Sequence, residues 1–177
     1  LGTSITNDQI TAIRNGTFDD LYVGDYWTLN DRRWYIADMD YWYGTGEDGS
    51  TAFKDHHLVM LPEFVLYTAK MMNTSATVRD GYIGSDMYTS NLQQAKDIAS
   101  EAFGSLIKSH RIALCNNVDV SDTGVPKGYA WVDSSVELMD EVMVFGCRRM
   151  SRDSYGSVVA DGSVSVDNGQ LAWFRLY

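Results

Sequence analysis

The chain is poor in several things at once. Its 177 residues include two cysteines, Cys115 and Cys147. Two are too few for a disulfide scaffold, and they lack the spacing of a zinc site, so they are read as buried thiols or a single bridge. Five Glu stand against nineteen Asp, and no basic stripe offsets the net charge of −10. That balance repels a phosphate backbone, so nucleic acid is not expected as a partner. No apolar run reaches 18 residues, and no membrane-inserted helix is expected. The N-terminus lacks the basic-then-apolar order of a secretion signal. It also lacks an initiator Met, and the chain is read as part of a longer one.

What is present points to a folded core. Hydrophobic residues make up 45% of the chain and 22 residues are aromatic, far from the composition of a disordered tail. The length suits a single domain over 1–177. Asp favours caps and turns, and with 15 Gly it predicts a loop-rich, β-weighted domain with few helices.

Local signals place the elements. Thr6 and Gln9 spell a capping box, Ile10 and Ile13 share a face, and Asn15-Gly16 stops a helix over 7–15. Aromatic and β-branched residues predict strands over 25–29 and 33–42, joined by a tight turn at Leu29–Arg32. A polar Gly-rich loop over 44–55 follows, then a buried strand at 57–61 ended by Pro62. Residues 64–72 suit a helical turn and 73–86 a loop. Ser90-Asn91-Leu92-Gln93 reads as a second capping box. Leu92, Ala95, Ile98, Ala99, Ala102 and Phe103 then form a helical stripe ending at Gly104. A strand at 109–114, a loop at 116–130, a strand or short helix at 136–145, a loop at 151–169 and a strand at 171–177 complete the reading. The pattern predicts an α+β fold: a β-rich mixed sheet with two main helices and long loops.

Few residues carry chemistry by spacing alone. Asp38 and Asp40, two apart on a strand, would face one side within reach of a divalent cation. Three letters are a weak signal, and a solvated strand face is the favoured reading, so no metal is assigned. His56 and His57 point to opposite sides of an extended chain and cannot chelate one ion; structural hydrogen bonding is expected of them. His110 and Cys115, five apart, meet on neither helix nor strand, and no oxyanion-hole motif accompanies them. No cofactor motif appears. The aromatic hairpin differs. Alternation puts Trp34 and Trp42 on one face and Tyr35, Tyr41 and Tyr43 on the other. If that second face is exposed beside the Gly-rich loop, it would suit a sugar or a protein partner.

The stretch Gly16-Thr17-Phe18-Asp19-Asp20-Leu21-Tyr22-Val23-Gly24-Asp25-Tyr26-Trp27-Thr28 resembles a signature of virion-associated proteins in phages and prophages of Gram-positive gut bacteria. Further matches follow in order: Tyr35 to Tyr41, Lys54 to Val59, Gly81 to Tyr88, Ala102 to Ser105, Asp133 to Met139 and Val144 to Gly146. The resembled family is one of unknown biochemical role, and its longer members are similar to C-type-lectin and formylglycine-generating-enzyme folds. The resemblance implies a non-enzymatic virion structural protein, a head decoration or head fibre, displayed on the particle surface after assembly in the bacterial cytoplasm. It implies other virion proteins and further copies of the chain as partners, with a tail-fibre adhesin for host-surface glycans as the alternative. It assigns no functional residue.

Overall fold

The computed structural model describes residues 1–68, 70–76, 81–119, 125–146 and 170–176. These form a mixed α+β arrangement with two small antiparallel sheets and few helices. The chain starts in α1 (Asn7–Asn15), whose Thr6 and Gln9 make both bonds of the capping box. Gly16 closes the helix at φ 68°, a left-handed conformation that costs glycine little. Strands β1 (Tyr26–Leu29) and β2 (Arg32–Met39) form the expected hairpin. Asn30 and Asp31 both take positive φ in its two-residue turn, which suits the right-handed twist of the strands. Strand β3 (Leu58–Pro62) pairs with the other edge of β2, giving the order β1-β2-β3.

A bulge between Ile36 and Asp38 divides β2 between two cores. On one side Trp27, Leu29, Trp34 and Ile36 pack with Leu21 and with Ala99 of α2 (Gln93–Phe103). Phe103 meets the Trp34 ring edge-on at 5.0 Å. On the other side Ala37, Tyr41 and Trp42 pack with Ile112, Met143 and Leu171. Those residues belong to, or adjoin, a second sheet and two short helices. The sheet is β4 (His110–Asp119) paired with β5 (Val125–Ser134). The helices are α3 (Glu141–Phe145) and α4 (Ala172–Leu176).

Several elements differ from the sequence reading, each for a local reason. The strand expected to run to 42 ends at Met39, because Asp40 takes φ 56° and turns the chain. The Ser90 capping box does not form. A π-helical turn over Met87–Asn91 precedes α2, and the Ser85 hydroxyl accepts the Tyr88 N–H instead. Residues 64–68 and 70–72 are not helical. Of the loop expected at 116–130, residues 116–119 lengthen β4 and 125–130 belong to β5, while 120–124 lie outside the described residues. Pro126 is tolerated there because both strands of a two-stranded ribbon are edges, and the ladder is irregular around Asn117. In place of the strand expected at 171–177, residues 172–176 form α4, and residue 177 lies outside the described residues. The alternative of a short helix within 136–145 is realised in α3. The loop assigned to 151–169 lies outside the described residues.

Candidate functional site

All three histidines of the chain gather where β2 ends, the Gly-rich loop returns and β4 begins. Asp40 organises the first two. Its N–H donates to the His57 carbonyl at 2.9 Å, and its Oδ1 accepts the His57 N–H at 3.0 Å. Its Oδ2 lies 2.7 Å from His56 Nδ1. The two imidazoles then diverge, as alternation predicts. His57 is buried, whereas the His56 ring is about a third exposed.

His56 stacks on the Tyr43 ring at 4.8 Å and 13°, with Phe18 at its edge. Gly16 packs so close that a Cβ there would lie 2.5 Å from the imidazole Cε1. His57 uses both nitrogens on backbone groups. Nε2 accepts the Trp42 N–H at 3.1 Å, and Nδ1 lies 2.9 Å from the Asp55 carbonyl. These contacts fix the neutral tautomer with the proton on Nδ1. Burial pushes the ring's affinity for a second proton below the ordinary imidazole range, and the nearby His110 pushes the same way. The Asp55 carbonyl and the Asp40 and Asp38 carboxylates act in opposition.

His110 stacks on the Trp42 indole at 4.3 Å and 15°. Its Nε2 lies 2.8 Å from Glu137 Oε1, with both side chains about nine-tenths buried. The two atoms are close but poorly aligned for a hydrogen bond. Phe53 meets His57 at 5.0 Å and His110 at 6.4 Å, and so binds the Gly-rich loop to both rings. Within that loop Asp48 accepts bonds from Ser50 and Thr51, which hold its carboxyl down at about 2.

The residues singled out by sequence are not one surface. Asp38 and Asp40 do not share a ligand position: Asp38 accepts the N–H groups of Met39 and Ala172, while Asp40 serves the histidine segment. Among the described residues no cluster of three or more His, Cys, Asp or Glu side chains is arranged for a metal ion. Tyr35, Tyr41 and Tyr43 are separated by the turn at Asp40. Tyr35 is half-buried between Tyr26 and Trp173, at ring distances of 5.2 and 5.1 Å. Tyr41 is buried against Trp42, and Tyr43 is 47% exposed over His56. The Cys115 side chain and Cys147 lie outside the described residues.

Sequence reasoning missed Glu137, Trp42 and Gly16 as members of the cluster. Only the rarity of histidine hinted that His110 joins the other two. A shallow recess of about 320 Å³ at the β1–β2 turn, lined by Asn30, Arg33, Glu63 and Phe64 among others, shares no residue with it. No family model, curated protein or solved structure matches the chain.

Proposed function

We propose that the chain is a non-enzymatic structural protein of a phage virion, an outer display domain serving as a head decoration or head fibre through assembly contacts. One observation carries the reading: the motifs behind the resemblance bond to one another in space. Asp40 of one motif holds His56 and His57 of the next. Tyr82 and Tyr88 of a third reach Leu138 N–H and Ser134 Oγ of a fourth, at 3.1 Å each. Polar side chains used in this way fasten distant segments together, which is the work of a scaffold. Phe64, Val65 and Met71 are exposed by 72%, 86% and 71%, and they offer apolar material for contacts with neighbouring virion proteins or further copies of the chain. The acidic exterior favours soluble, mutually repelling particles. The finer fold assignment, a C-type-lectin-like relationship, belongs to the same proposal and rests on the resemblance of the longer members.

A second reading, a glycan-binding adhesin domain, is favoured by Tyr43. Its exposed ring is held flat against His56 at the start of the Gly-rich loop, as a sugar platform would be. Fluorescently labelled protein offered to particles lacking it and to intact Gram-positive gut bacteria separates the two. Saturable binding to particles supports the structural role. Saturable binding to cells, competed by cell-wall polysaccharide and lost in Tyr43→Ala, supports the adhesin instead.

A further inference from the structure

We propose that the loop between Trp42 and Asp55 is closed by an acid-sensitive clasp at His57. The imidazole bridges the two ends of that loop: its Nε2 accepts from Trp42 N–H at 3.1 Å, and its Nδ1 meets the Asp55 carbonyl at 2.9 Å. Only the neutral ring can do both. A proton added at Nε2 would face the Trp42 N–H head-on, turning an attraction into a repulsion between two donors. The ring is buried, with 8% of the residue exposed, so water cannot readily replace the lost bond.

The groups around the ring are mixed in sign. Asp38 and Asp40 come from β2 and its end, with Asp40 Oδ1 3.7 Å from Nδ1. Asp55 and His56 come from the returning loop. The Asp55 carboxylate is paired with Lys108 at 2.9 Å, and His56 is held on the far oxygen of Asp40. His110 faces it from β4, with Glu137 beyond. Arg111 of β4 also reaches Glu47 of the loop at 3.6 Å. Burial is the largest influence on His57 and opposes its protonation.

The sign follows. A histidine whose folded-state value is depressed stabilises the closed loop fully above its unfolded value of 6.5. That stabilisation is lost as pH falls from there through the folded-state value. Opening at this point frees the Trp42 backbone and loosens the stack of its indole on His110.

The test follows the Trp42 amide by hydrogen exchange from pH 7.5 to 4.5, corrected for intrinsic rates, alongside the ring nitrogens of His57 by NMR. Protection at Trp42 is expected to fall about tenfold or more, beginning near the unfolded value of 6.5 and levelling off as Nε2 becomes protonated in the closed loop. In His57→Gln, which offers a neutral acceptor, that acid loss disappears, whereas in His56→Gln it persists. The clasp is overturned by an Nε2 already protonated at pH 7.5, by protection that is unchanged once Nε2 has become protonated, or by an equal acid loss in His57→Gln. Should that variant not fold, wild-type protection at Trp42 and the protonation of Nε2, followed together, decide the matter alone.

Discussion

The Asp38 carboxylate, in the central strand of the first sheet, accepts the N–H of Ala172 at 2.8 Å. The two residues are 134 positions apart, and the bond caps the first turn of α4. A carboxylate there satisfies an otherwise orphaned donor and complements the positive end of the helix. Asp38→Ala is expected to lower stability by about 1–2 kcal/mol in denaturant unfolding, and Asp38→Asn by clearly less, because one acceptor oxygen survives. Millimolar calcium, magnesium or manganese should leave the melting temperature of either protein unchanged. A cation-dependent rise abolished in Asp38→Asn would restore the metal reading that the strand spacing first suggested.

Gly16 and His56 make a second coupled pair. An added Cβ meets three ring atoms at 2.5–2.7 Å, and φ of 68° is unfavourable for any residue with a side chain. Gly16→Ala should therefore destabilise by about 1–2 kcal/mol from backbone conformation, plus whatever displacing the imidazole costs. In a His56→Ala background the same change should cost at least about 1 kcal/mol less, and a double-mutant cycle by urea unfolding measures the difference. Additive effects would mean that the ring does not sit where described.

The stripe on α2 is graded. Leu92 is 2% exposed, while Ile98 is half-buried against the first core. Leu92→Ala is expected to cost about 3 kcal/mol and Ile98→Ala about 1–2 kcal/mol, read from denaturation midpoints. The reverse order would place the stripe a few residues out of register.

Alkali should loosen the region around Tyr82. Its phenol, pushed up to about 12 chiefly by burial, accepts the Leu138 N–H at 3.1 Å. A group raised above its unfolded value of 10.0 stabilises the fold fully below pH 10, and that contribution is lost as pH climbs toward 12. Spectrophotometric titration should show one tyrosine ionising late, and Tyr82→Phe should remove it. An unchanged late phase would assign it to another tyrosine.

Much of this was legible in the residues. The α1 caps, the Asn30-Asp31 turn and the α2 stripe are each encoded within one or two turns of chain, where local rules apply. The misread elements share a dependence on distant partners. α4 is capped by Asp38, and residues 116–119 and 125–130 are held by pairing across an irregular ribbon. Asp40 is the sharpest case. A single positive φ ends β2 and separates Tyr41 and Tyr43 from Tyr35, and no pattern of alternation reports it. The pairing of His110 with Glu137 was equally hidden, since its members lie on separate segments.

The virion assignment is tested most directly by quantitative mass spectrometry of purified particles from a phage encoding this chain. The protein should be present at a fixed copy number relative to the major capsid protein, and protease treatment of intact particles should reach it. Its absence from purified particles, with the protein recovered only from the infected-cell lysate, would contradict a structural role.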